Sequence, residues 1–395
     1  MRKNILALTY WDFDDALVQT YTLPYLNMMC EHLSDNECIY LLCLNKKNKA
    51  SISFQHPKIK LIAFSYYPFG AIAVLYYSWM LVYLLFFIYR KNISFIHAWC
   101  TPAGAFAYML SKLTHKPLII DSYEPHAEAM VEVGEWKKNS LASRLLFYFE
   151  KQMTHHAKFL IATTEKMITE YATSRYNYNP QKNNWFTKPA CVDLNWFQPN
   201  KEKREIIRKE LGIQNKVVGI YAGKFGGIYL EDEFFLWLRT AYDYLKEQFS
   251  FILLSSHSKE YIYQKCQKYN INHKIIIHRF VPHKDVVNYL NAADFGITPV
   301  KPVFTKQFCS PIKNGEYWAM GLSVIITKNI SDDSDIIEKN NIGYVLKNLS
   351  QEEYSNSIKQ IENIIHQNIS DKIISIAHHY RNFNTAKIIY QKIYS

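Results

Sequence analysis

The stretch "KVVGIYAGKFGGIYLEDEFF", residues 216–235, reads as a buried strand, a glycine-rich turn and the start of a helix. Its apolar residues do not alternate with polar ones, the mark of a parallel strand covered on both faces. The strand decides the fold because it opens a second series. "NILALTY" (4–10), "CIYLLCLN" (38–45), "KIKLIAFS" (58–65), "ISFIHAW" (93–99), "KPLIIDSY" (116–123) and "KFLIATT" (158–164) form the first series. Helical stretches separate most of them, including residues 16–33 and "AGAFAYMLSKLTH" (103–115). The charged segment 200–216 follows, and the series restarts with 216–223, "FSFILLSS" (249–256), "KIIIHRFV" (274–281), "FGITPV" (295–300) and "LSVIIT" (322–327). Alternation of this kind predicts α/β architecture with two Rossmann-like, doubly wound domains. We place them at residues 1–195 and 196–375, with a closing helix at 376–395 expected to return to the first. Two such domains would face a central cleft at the carboxyl ends of their strands, where open α/β sheets take ligands.

Composition fits a folded protein: of 395 residues, 49% are hydrophobic and 21% charged. Lys and Arg exceed Asp and Glu by 46 to 35, a net charge of +11 that suits a nucleotide or an anionic lipid surface. No basic run or zinc spacing points to nucleic acid. The seven cysteines, at 30, 38, 43, 100, 191, 266 and 309, include no Cys-x-x-Cys pair, so neither a disulfide framework nor structural zinc is expected. The apolar run in "MRKNILALTY" (1–10) is too short for a signal-peptide core, and a cytoplasmic location is expected.

One segment, "PFGAIAVLYYSWMLVYLLFFIY" (68–89), has 22 uncharged residues, enough by length to span a bilayer. A span would put 4–10 and 93–99 on opposite sides of the membrane and keep them out of one sheet, so a span is rejected. Two readings stand: a helix buried in the fold or at an oligomer contact, or a helix lying in the membrane interface with Arg90 and Lys91 after it. The positive charge of the chain favours the second.

The chemistry concentrates in "CSPIKNGEYWAMGLSVIIT" (309–327). Pro311 suits a helix start and Gly321 a helix end. A helix start offers unpaired amides to an anion, and Lys313 adds charge there. Glu316 suits a pair of sugar hydroxyls, as acidic residues do for ribose. The plain alternative is an exposed Lys–Glu pair three residues apart. In the glycine turn, Gly223, Gly226 and Gly227 allow close backbone approach and Lys224 adds a second cation. A glycine turn without a ligand is the alternative there.

With these segments together, the chain resembles retaining GT-B glycosyltransferases close to family 4, the group 1 glycosyl transferases. "KPACVDLNWFQPN" (188–200) with "RKELGI" (208–213) resembles the family's interdomain linker. "HRFVPHKDVVNYLNAADFGITPV" (278–300) resembles its run from the base-binding strand to the donor loop, and "SPIKNGEYWAMGLSVI" (310–325) resembles the donor loop itself. The resemblance implies that Lys224 and Lys313 contact the donor diphosphate and that Glu316 binds the ribose. It also implies that Ser310 and amides near Pro311 meet phosphate oxygens, and that Phe280 and Val281 lie beside the base. In the first half, "DSYEPHAEAM" (121–130) places His126 at the donor sugar, with Glu124 or Glu128 as its neighbours.

Two departures stand out. The first glutamate of the family's Glu-x7-Glu signature would fall at 308, where this chain has Phe308. The glycine pair expected after the first strand is replaced by "YWDFDDALVQTY" (10–21). There Trp11, Asp12 and Asp15 are candidates for the acceptor site, or the acids cap the following helix. Asp193 and Asp294 are read as turn and cap residues. The function implied is transfer of a sugar, with retention, from a nucleotide-diphosphate sugar to an acceptor hydroxyl. A glycan or lipid-linked acceptor at the inner face of the cell membrane is expected, and neither metal nor cofactor. The alternatives are a nucleotide-sugar epimerase or hydrolase of the same fold, a nucleotide-binding subunit without turnover, and an integral membrane protein.

Overall fold

The computed structural model describes residues 3–15, 17–46, 54–68 and 70–394. Met1, Arg2, Ala16, Phe69 and Ser395, which fall within segments named above, lie outside them. The chain divides into two compact units: Met1–Val131, Trp136–Lys188 and Asn384–Ser395 in one, Glu132–Glu135 and Pro189–Phe383 in the other. The changeover at Lys188/Pro189 comes a few residues before the boundary placed at 195.

The first unit is built on β1 (Asn4–Leu8), β2 (Ile39–Asn45), β3 (Ile59–Ser65), β4 (Ile93–Trp99), β5 (Leu118–Tyr123), β6 (Phe159–Ala162) and β7 (Trp185–Thr187). They lie in the order β3-β2-β1-β4-β5-β6-β7, and every pair is parallel. Every residue of β1 and β5 is buried, as expected of strands covered on both faces. β1 pairs with β4 from Asn4–Ile93 to Leu8–Ala98. The apolar helix Ala71–Arg90 therefore joins strands of one sheet and does not cross a membrane between them. It is nonetheless exposed. Ala73, Met80, Leu84 and Ile88 form its buried face, while Ile72, Leu75, Trp79, Val82, Phe86 and Tyr89 face outward.

The second unit is built on β8 (Val217–Ala222), β9 (Phe249–Leu254), β10 (Ile276–Arg279), β11 (Phe295–Thr298), β12 (Ser323–Thr327) and β13 (Gly343–Leu346). Their order is β10-β9-β8-β11-β12-β13, again parallel throughout. In each sheet the winding reverses beside the first strand, and ligands of such sheets bind at that switch point.

The closing helix expected at 376–395 is two helices. Ser370–Tyr380 stays with the second unit, and Phe383–Tyr394 belongs almost entirely to the first. The latter is anchored on buried charge: Tyr390 donates to Asp121 Oδ2 (2.7 Å), and Tyr394 Oη lies 2.6 Å from His97 Nδ1. Lys188 Nζ is 3.0 Å from Asp121 Oδ1, with both side chains fully buried. Burial alone would raise the Asp121 carboxyl; Lys188, His97 and Tyr390 outweigh it and hold it at about 2.

Candidate functional site

The site grows from the end of β8. Gly223 leaves no room for a side chain: a Cβ there would lie 2.7 Å from Tyr221 Oη and 3.0 Å from Lys313 Cε. The missing side chain lets the Lys313 stem lie against the strand end. Gly226 and Gly227 have φ of +82° and +58°, the left-handed region that favours glycine. Their freedom closes a turn in which Tyr229 N donates to Gly226 O (3.0 Å). The turn is tied to the end of β11, with Leu230 N donating to Pro299 O (2.7 Å) and Lys301 N to Ile228 O (3.0 Å). It delivers Tyr229 to the switch point between β8 and β11. Lys224 is exposed, and its carbonyl accepts from Tyr221 Oη (2.7 Å).

The second wall is the helix Ile312–Ala319. Pro311 precedes it as the capping residue, and Gly321, at φ +72°, lies just past its end. Lys313 Nζ donates to Tyr229 Oη (2.9 Å) and lies 4.5 Å from the ring centre. Glu316 is buried, and its Oε1 sits 2.7 Å from His283 Nε2. The exposed Lys–Glu pair left open by the sequence is thus not formed; each residue has another partner. Burial would lower the His283 imidazole, but Glu316 outweighs it and raises it, so the pair holds a proton at neutral pH more readily than free histidine. β10 stops at Arg279, leaving Phe280 77% exposed and Val281 packed against the core.

Behind this helix lies a buried polar chain. Thr298 donates to Asn314 Oδ1 (2.6 Å), and Asn314 Nδ2 donates to Asp333 Oδ2 (2.6 Å). Asp333 is bonded in turn by Arg381, which also bonds the Ser310 hydroxyl and Ala190 O (3.2 Å). The guanidinium lies 5.4 Å from the Trp318 ring. Gly315 makes room for it: a Cβ there would come within 3.2 Å of Arg381 Cγ. Ser310 accepts from Ala190 N (3.0 Å) as well, so its oxygen fixes the chain just ahead of the helix. Phe308 is fully buried, edge-on to Phe304 at 5.2 Å. The position where the resemblance would put a sugar-binding glutamate is thus taken by a buried aromatic side chain.

In the first unit, His126 opens the helix His126–Glu132, its ring 6.3 Å from Trp136. Ala127 N, in the first turn of that helix, donates to Glu150 Oε1 (2.9 Å), and burial raises the Glu150 carboxyl to about 8. The Glu124 carbonyl accepts from Thr101 (2.7 Å); the Glu128 carboxylate is taken by Tyr171 (2.8 Å) and Arg175 (3.5 Å). Asp15 Oδ1 accepts from Leu17 N (2.9 Å), a local turn bond just ahead of the helix. Asp12 accepts from Lys46 N (3.2 Å) and Trp11 O from Leu44 N (3.2 Å), tying this loop to the end of β2. Asp193 accepts from Asn195 N and Trp196 N, a turn residue as read. Asp294 does more than cap: it holds Arg204, Arg208 and Val218 N.

Sequence reasoning missed Tyr229, His283, Lys306 and Arg381. Lys306 is buried, and its charge reaches Tyr229. Burial alone would raise the Tyr229 phenol; Lys313, then Lys306 and Lys224, outweigh it and bring it below its ordinary value. Of the two lysines singled out by the sequence, Lys313 contacts Tyr229 directly, while Lys224 is exposed and reaches it only through its charge.

Residues 238–375 match the family Glycosyl transferases group 1. Among solved structures, sucrose-phosphate synthase from Thermosynechococcus elongatus superposes with a TM-score of 0.75 at 13% identity, covering 100% of this chain and 98% of that one. Anabaena HepE in complex with UDP and glucose gives 0.73 at 14%, covering 99% of each chain. WaaG, a glycosyltransferase involved in lipopolysaccharide biosynthesis, gives 0.73 at 14%, covering 98% of this chain and 99% of that one. The fold is GT-B. No curated protein matches the chain in sequence.

Proposed function

We propose that this chain is a retaining glycosyltransferase that moves a sugar from a nucleotide-diphosphate sugar to an acceptor hydroxyl. The observation that carries the reading is the Lys313 ammonium held on Tyr229 beside the switch of a GT-B sheet, where Lys306 and Lys224 add positive charge. As the sugar departs, charge grows on the nucleoside diphosphate, and fixed cations there stabilise the transition state more than the ground state. The group 1 match across this half of the chain supports the same chemistry. Glu316, held by His283 through one carboxylate oxygen, binds the ribose with the other, and His126 is assigned to the donor sugar. UDP is the first nucleotide to test, because the similar HepE structures hold UDP or UDP-glucose. In the proposed step the leaving phosphate accepts the acceptor's proton on the face it leaves, without metal.

A panel of nucleotide sugars, assayed by thermal shift and product formation with and without EDTA, tests donor and metal together. We expect one donor to raise the melting temperature and to be consumed equally in both arms. Donor consumed without acceptor would favour the epimerase or hydrolase reading. Binding without any turnover would favour a nucleotide-binding subunit, the reading to which the buried Phe308 lends weight.

We also propose that the acceptor is lipid-linked and that the enzyme works as a peripheral protein on an anionic cytoplasmic membrane face. The exposed apolar residues of Ala71–Arg90, followed by Arg90 and Lys91, support this. Replacing Leu75, Val82 and Phe86 together by Asn removes side chains worth about 1.5 kcal/mol or more each when buried in lipid. Partitioning onto vesicles containing phosphatidylglycerol should fall roughly 10³-fold, with little change in stability. Unchanged partitioning would remove the membrane from the account.

A further inference from the structure

Tyr229 takes the Lys313 ammonium on its phenol oxygen, and the fold fixes it there. Its backbone is held by the Gly226 turn on one side and bridged to Val300, just past β11, on the other. A lysine ammonium can only donate, so in the 2.9 Å contact with Lys313 the phenol oxygen is the acceptor. The hydroxyl hydrogen is then directed elsewhere, and among the described residues no acceptor takes it. A cation bonded to a phenol oxygen strengthens the O–H as a donor, in the way that charge-assisted hydrogen bonds are strengthened generally. Lys306 and Lys224 add to the same field.

We propose that Tyr229 is itself a contact of the donor diphosphate: its hydroxyl, backed by Lys313, donates to a phosphate oxygen and holds it as the sugar leaves. This deepens the glycosyltransferase reading and rests on it for the identity of the ligand. A lysine alone would present an isolated charge that swings on a flexible stem. Lysine behind a rigid phenol presents a directed donor whose position is set by the turn. Tyr221 packs beside this pair, its ring centre 6.3 Å from that of Tyr229 at an interplanar angle of 60°.

The test uses Tyr229→Phe in the full chain, which keeps the ring over Lys313 and removes only the hydroxyl. Binding of inorganic pyrophosphate and of UDP is measured by calorimetry for wild type, Y229F, K313M and the double variant, with melting temperatures as a check of folding. We expect Y229F to weaken pyrophosphate binding about tenfold, and the double variant to lose less than the two single losses combined, because the groups act in series. Turnover of the identified donor by Y229F should fall about 10²-fold. Y229F binding pyrophosphate and UDP as wild type does, with a wild-type melting temperature, would overturn the contact while leaving the glycosyltransferase reading intact. Pyrophosphate binding that depends on Tyr229 in a protein that turns over no nucleotide sugar would support the contact and overturn that reading.

Discussion

Lys313→Met should lower kcat/KM for the donor by about 10²–10³, the usual effect of removing one fixed group that stabilises charge developing in a transition state. Methionine keeps much of the stem that packs against Gly223 and the Tyr229 ring, so the loss reports charge and not packing. The ammonium is only partly buried, and removing it strands no buried carboxylate, because Glu316 is bonded to His283. Stability should therefore change by less than about 1 kcal/mol. Steady-state kinetics with a matched thermal melt decides the matter. Turnover near the wild-type rate would remove Lys313 from the chemistry and the proposed function with it.

Arg381→Met should be the most damaging single change to stability, by about 3–5 kcal/mol, the range for breaking a buried ion pair from one side. Arg381 is 1% exposed and bonds Asp333, Ser310 and Ala190 together, so its loss leaves the Asp333 carboxylate buried with Asn314 as its remaining partner. Burial already raises the Asp333 carboxyl, with Arg381 and Asn314 acting against it. Removing the guanidinium raises it further. A group whose folded value is raised contributes stability that is present at low pH and is lost as pH climbs through that value. The deficit of the variant should therefore be largest near neutrality and shrink toward pH 4. Adding Asp333→Asn should recover a large part of it. Chemical denaturation at two pH values checks both statements, and a deficit independent of pH would show that Asp333 is not the stranded group. Activity should fall as well, since Arg381 holds the chain that leads into Lys313.

Much of the architecture was legible because buried parallel strands are continuous apolar runs, and "NILAL" or "FILL" admit few other readings. Edge strands carry less of this signal. β7 is only "WFT" and β13 only "GYVL", and neither was named in advance. The break at Arg381 was also hidden, because residues 370–394 keep helical periodicity on both sides of it. At the site, Lys224, Lys313 and Glu316 stood out from charge at strand ends and helix starts, and the buried Lys306 did not. Neither did Tyr229. Its position follows from a left-handed turn that aims one tyrosine among thirty at a lysine 84 residues away. His283 likewise meets Glu316 across 33 residues, and no local spacing announces that pair.

The return of Phe383–Tyr394 to the first unit has a consequence for synthesis. On the ribosome, the sheet from β1 to β7 emerges long before the segment that covers Asp121, His97 and Lys188 exists. The nascent first unit must wait, with those ionisable groups hydrated and its closing surface open, until translation has passed the whole second unit. Completion of the amino-terminal unit therefore depends on Phe383–Tyr394, which translation delivers only after the second unit.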